Sequence, residues 1–102
     1  SWVRDPWLDL AWCAYYAKDW ETCFWAASKC LKITQRSYSY MADNRAWGFE
    51  PYDLCALSAY QLSMNYEALK YGMQAALLAP DDARIQANLE YYREAVDKLN
   101  GK

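Results

Sequence analysis

A chain of 102 residues is long enough for one domain with one modest core. Hydrophobic residues make up 55% and charged residues 24%, a composition that folds and that excludes a disordered chain. The net charge of −2, from 11 basic and 13 acidic residues scattered along the chain, argues against nucleic acid and anionic membrane as partners. No apolar run approaches the roughly 18 residues of a membrane span.

The chain starts at Ser1 rather than Met and reads as a piece of a longer one, with no signal-peptide pattern and an expected cytoplasmic location. Asp5-Pro6 predicts a helix start, with a capping carboxylate and a proline in the first turn. Trp7, Leu10, Ala11, Ala14 and Tyr15 follow at helical spacing and predict a core-facing stripe. Lys18-Asp19 closes that helix, and Asp19 is placed to cap the next. The second helix carries Cys23, Phe24, Ala27, Cys30 and Leu31 on one side, with Lys29 and Lys32 suited to its C-terminal end. So short a connection makes the pair an antiparallel hairpin, about residues 5–33.

Residues 34–50 hold Tyr38, Tyr40, Met41, Trp47 and Phe49, too many apolar groups for a bare linker. A short helix near Tyr40 to Trp47, stopped by Gly48, is expected there, the alternative being a packed loop. The first layout then returns. A shift of 45 residues aligns Pro6 with Pro51, Trp7 with Tyr52, Ala11 with Ala56, Ala14 with Ala59, Tyr15 with Tyr60, Cys23 with Ala68 and Cys30 with Ala75. Small residues meet small ones and rings meet rings, the signature of an internal repeat. A second hairpin is therefore predicted over about 51–79. A last helix, capped by Asp81 or Asp82, spans about 82–99 and ends at Asn100-Gly101. The expected fold is all-α, two stacked antiparallel helical hairpins and a C-terminal capping helix in one domain, 1–102.

The four cysteines (Cys13, Cys23, Cys30, Cys55) form no C-x-x-C pair, and the chain has no His. They read as small apolar helix residues rather than zinc ligands or disulfides. Without His, Ser-His and Cys-His mechanisms drop out. Asp81-Asp82 reads as a helix cap, Asp5 and Asp9 as a cap and a solvated carboxylate, and three isolated glycines make no phosphate loop. No catalytic residue, metal or cofactor is expected.

The repeat can be set against the tetratricopeptide pattern. The first unit has Trp7-x-x-Leu10-Ala11, Ala14-Tyr15 and Cys23-x-x-x-Ala27. The second has Tyr52-x-x-Cys55-Ala56, Ala59-Tyr60 and Ala68-x-x-x-Gly72, ending at Pro80. The chain resembles the tetratricopeptide family over both units. It departs in its period of 45, in the aromatics missing at Ala27 and Gly72, and in Gln35 where a proline is usual. Ala46-Trp47-Gly48, Pro51-Tyr52-Asp53-Leu54, Ala68-Leu69-Lys70-Tyr71-Gly72, Ala79-Pro80-Asp81-Asp82 and Asn88-Leu89-Glu90-Tyr91-Tyr92 are similar to the C-terminal accessory region of some bacterial and phage family-2 glycosyltransferases. That resemblance implies sugar-nucleotide chemistry in a separate N-terminal domain.

Leu8, Trp12 and Tyr16 lie one turn apart as a second stripe on the first helix. Their counterparts are Asp53, Leu57 and Gln61, with Ala87 and Tyr91 on the last helix. The resemblance implies that this stripe lines a partner groove, while packing of Trp12 under residues 34–50 would make it core instead. Six Trp, ten Tyr and two Phe are more rings than so small a core hides, and exposed rings bind partners. The function expected is a non-catalytic interaction or scaffold domain for a protein or peptide, the parent's N-terminal domain included, with weak self-association as a further consequence. The alternative is a carbohydrate-acceptor module that uses exposed rings.

Overall fold

The computed structural model describes residues 3–34 and 44–101. The described residues form five α-helices: α1 (Asp5–Tyr16), α2 (Trp20–Lys32), α3 (Glu50–Gln61), α4 (Asn65–Leu78) and α5 (Ala83–Leu99), with a 3₁₀ turn (Asn44–Trp47) ahead of α3. There is no strand among the described residues, and the fold is all-α as the periodicity predicts. Neighbours in sequence pack on each other, α1 on α2, α2 on α3, α3 on α4 and α4 on α5, and α1 also touches α3. This is the packing order of stacked hairpins, and the molecule measures 50 × 28 × 20 Å. No helix among the described residues is long and apolar enough to cross a membrane.

The 45-residue repeat is built into the backbone. Helices α1 and α3 are both 12 residues long and start at 5 and 50. Each ends in the same turn: Lys18 N–H donates to Tyr15 O and Asp19 N–H to Ala14 O, matched by Ser63 to Tyr60 and Met64 to Ala59. The reversal puts Lys18 and Ser63 at φ 58° and 62°, the left-handed closure in which the last carbonyls of a helix find donors. Asp19 caps α2 by accepting from Thr22 N–H, and Asp82 caps α5 by accepting from Ile85 N–H. Gly101 takes the left-handed position after α5, at φ 75°.

Small side chains let the helices close. Ala11, Ala14, Cys23, Ala26, Ala27 and Cys30 of the first hairpin are buried with Leu8 and with Leu54 and Cys55 of α3. On the other side of α3, Ala56 and Ala59 pack with Ala68, Ala75 and Ala76 of α4 and with Ile85, Leu89 and Tyr92 of α5. Helix α3 is the shared wall of both clusters. The aromatic missing at Gly72 comes from the cap helix: a Cβ at Gly72 would stand 2.5 Å from the Tyr92 ring.

Two expectations are corrected. Helix α1 begins with Asp5 as its first residue and with Arg4 at the cap position. Arg4 is buried; its Nε donates to Ile33 O at 2.7 Å, its Nη1 to Ala46 O at 3.0 Å, and its guanidinium lies 3.9 Å over the Trp47 ring. The first turn is thereby committed to fastening the end of α2 to the 3₁₀ turn. The inward stripe is Leu8, Ala11 and Ala14, with Leu8 only 1% exposed and Leu10, expected inside, 38% exposed. Helix α1 is covered by both α2 and α3, so its buried arc is rotated toward Leu8. The short helix expected near Tyr40 to Trp47 is met, over its described part, by the 3₁₀ turn Asn44–Trp47, which ends at Gly48; Tyr38 and residues 40–43 lie outside the described residues.

Candidate functional site: the ring face of α1

The C-terminal half of α1 is a run of rings. Trp12 and Tyr16, one turn apart, stack with centroids 5.7 Å apart and planes at 25°. Tyr15 meets Trp12 and Tyr16 edge-on, each at 5.5 Å, and Trp20 at the start of α2 at 5.8 Å, the offset and edge geometries that ring quadrupoles favour. The Trp12 indole N–H donates to Glu50 Oε2 of α3 at 3.1 Å, which fixes the indole plane. Tyr16 remains 76% exposed. Beside these rings lies an open cleft of about 490 Å³ lined by Asp9, Trp12, Cys13, Tyr16 and Arg45.

The predicted stripe therefore splits along its length. Leu8 and Asp53 are buried in the core, Trp12 and Leu57 are half-buried, and Tyr16, Gln61 and Tyr91 are exposed. Leu8 and Asp53 sit where one unit's first helix meets the next, so neither lines an open groove. Trp12 combines both readings: it packs against the first core cluster and also lines the cleft. Asp9, Cys13 and Arg45 were not singled out as neighbours of the rings. Asp9 and Cys13 each lie three residues before a ring, on its helix face; Arg45 arrives from the 3₁₀ turn, which no spacing reveals.

Asp53 has another task. It is 4% exposed, and its Oδ2 accepts from Arg84 Nη2 of α5 at 2.6 Å. Burial pushes its carboxyl above the ordinary value, with the Arg84 hydrogen bond and charge opposing. The hydrogen bond from Arg84 to Asp53 in turn raises the guanidinium. Tyr60 and Tyr92 meet beside this pair at 5.4 Å, and burial raises the Tyr92 hydroxyl. This cluster joins α3 to α5.

Cys23, Cys30 and Cys55 are buried free thiols, and Cys13 is exposed. Burial pushes Cys23 and Cys30 up to about 11 and Cys55 up to about 12, the direction of an inert, packed thiol. Among the described residues, no three His, Cys, Asp or Glu side chains come together as a metal site. Comparison with family models, with curated proteins and with solved structures finds no match, so a functional reading rests on the chain's own geometry.

Proposed function

We propose that the chain is a non-catalytic binding domain of tetratricopeptide type, an interaction or scaffold module that serves as an accessory part of a larger glycosyltransferase chain. The observation that carries the binding reading is the Trp12–Tyr16 stack. The fold fills its interior largely with Ala and Cys, yet it holds a fixed indole and a largely exposed phenol side by side at the surface. Ordered, exposed rings are the composition of binding hot spots. Gln61 on α3 and Tyr91 on α5 are also exposed and are assigned to the same binding surface by their place in the repeat; its partner is a protein or peptide.

Titration of the domain with the remainder of the parent chain, supplied in trans, tests this. Saturable binding is expected, weakened about tenfold or more by Tyr16→Ala. Binding that ignores Tyr16→Ala, Gln61→Ala and Tyr91→Ala together would remove the face from the reading. The domain alone should neither hydrolyse nor transfer any member of a sugar-nucleotide panel; turnover lost on changing Asp81 or Asp82 would overturn its non-catalytic character.

A further inference from the structure

Among the described residues, α5 is the one helix outside a hairpin: α1 pairs with α2, α3 pairs with α4, and α5 packs on α4. Helix α5 buries Ile85, Leu89 and Tyr92, with the spacing of Pro51, Cys55 and Ser58 on α3. It therefore stands to α4 as α3 stands to α2, in the place of a first helix. On α3 the second helix of the pair is α4. Its Tyr71 meets Phe24 of α2 edge-on, centroids 6.0 Å apart, and both rings pack on both core clusters, so α4 closes the seam between α2 and α3. The 45-residue shift carries Phe24 and Ser28 of α2 to Leu69 and Met73 of α4. Met73 and Leu77 lie roughly 200° and 240° round α4 from Tyr71, on the side away from α2. Both are left open to solvent, Met73 at 44% and Leu77 at 74%. With Ala76, and with Gln86, Leu89 and Arg93 of α5, they line a groove of about 240 Å³. The closed α2–α3 seam and this open groove are successive steps of one stacking interface.

The two walls of the groove differ. The α4 wall offers apolar side chains. On the α5 wall, Glu90 and Arg93 stand where α3 has Ala56 and Ala59, the residues that receive α4. Arg93 lines the groove, and its pairing with Glu90, 3.3 Å at the surface, holds it only weakly. What fits is a helix apolar on one side and acidic on the flank that faces Arg93. A second copy does not supply it: α1–α2 and α3–α4 are already paired, α5 stands where the first helix of an incoming pair would lie, and the outer side of α5 is charged. We infer that the α4–α5 groove binds an amphipathic helix of a partner protein, with apolar residues one turn apart on Met73 and Leu77 and a flanking carboxylate paired with Arg93. This is helix-in-groove recognition, on a surface separate from the ring face of α1 and independent of it.

The test titrates the full chain with fluorescein-labelled synthetic peptides of about 16 residues, long enough to hold a helix. One carries Leu at i, i+4 and i+7 with Glu along one flank, a second has Lys in place of the Glu, and a third scrambles the first. Fluorescence anisotropy gives the affinity and amide chemical shifts the location. The Glu peptide should saturate at roughly 100 µM or below, with the largest shifts in α4 and α5. The Lys peptide should bind several-fold more weakly, and the scrambled one about tenfold or more. Leu77→Gln, at an exposed position, should weaken the Glu peptide about tenfold. Arg93→Glu should reverse the preference between the Glu and Lys peptides, and Tyr16→Ala should change neither. Circular dichroism checks that each variant is folded. No saturation up to roughly 1 mM, equal binding of the scrambled peptide, or shifts centred outside α4 and α5 overturns the inference. So does binding that ignores both Leu77→Gln and Arg93→Glu. A Leu77-dependent dimer in sedimentation that excludes the peptide assigns the groove to a second copy and overturns it as well.

Discussion

At the scale of single residues, burial separates side chains that one helical stripe had grouped together. Leu8 lies in the core and Tyr16 in solvent, so Leu8→Ala should cost about 2–5 kcal/mol and Tyr16→Ala no more than about 0.5 kcal/mol. Trp12→Ala should fall between them, near 2 kcal/mol, because it loses half a side chain of packing and one hydrogen bond. Thermal melts of the three variants give the ranking, and a Leu8→Ala protein as stable as Tyr16→Ala would refute the α1–α3 packing. The Asp53–Arg84 pair is asymmetric in the same way: the guanidinium is 51% exposed and the carboxylate is not. Arg84→Ala strands a buried charge and should cost about 2–3 kcal/mol at neutral pH, less than a wholly buried pair because Arg84 is half-solvated. Asp53→Asn leaves a solvated cation and should cost about 1 kcal/mol or less. A raised folded-state carboxyl binds its proton more tightly than the unfolded chain does. Its contribution is therefore most favourable below the ordinary value of about 3.9 and declines as pH rises through the folded-state value. In Arg84→Ala the opposing guanidinium is gone, so that decline should be larger and extend to higher pH. Denaturant melts across the acid range, compared with Asp53→Asn, measure it.

At the scale of elements, the two hairpin turns are the same structure made twice. Lys18 and Ser63 hold a left-handed conformation that favours glycine. Lys18→Gly and Ser63→Gly should each stabilise the protein by about 0.5–1 kcal/mol, the relief of strain exceeding the added freedom of the unfolded chain. Both are exposed, so a loss of stability would mean the turns are built differently. Gly72→Ala runs the other way: helix propensity favours alanine by about 1 kcal/mol, but the new methyl meets a buried Tyr92 ring. A net loss of about 1–2 kcal/mol is expected in the same melts. The repeat itself was readable from the pattern of small and aromatic residues, with starts expected at about 5 and 51 and found at 5 and 50. The rotation of α1 was not, because Leu8 and Leu10 are equally apolar and only the cover supplied by α3 distinguishes them.

At the scale of the whole molecule, α3 links two core clusters that would otherwise stand apart, so the stack should unfold in one transition. The cysteines report on it. Cys13 should react with a thiol reagent in the native protein, while Cys23, Cys30 and Cys55, on α2 and α3, stay silent until the helical signal is lost and then react together. Reaction of any of the three ahead of helix loss would show that the first hairpin opens independently.

The hairpins, the Asp19 and Asp82 caps and the small-residue seams were determined by the sequence alone, because each depends on residues a few positions apart and on a period that repeats. The cleft, the burial of Asp53 and the fastening role of Arg4 were decided by tertiary structure. Arg45 joins Trp12 and Tyr16 from another element, Arg84 reaches Asp53 across 31 residues, and Arg4 reaches Ala46 across 42. A polar or aromatic side chain on a helix is equally at home in water or against a neighbouring helix. Which it meets is settled only when the helices pack.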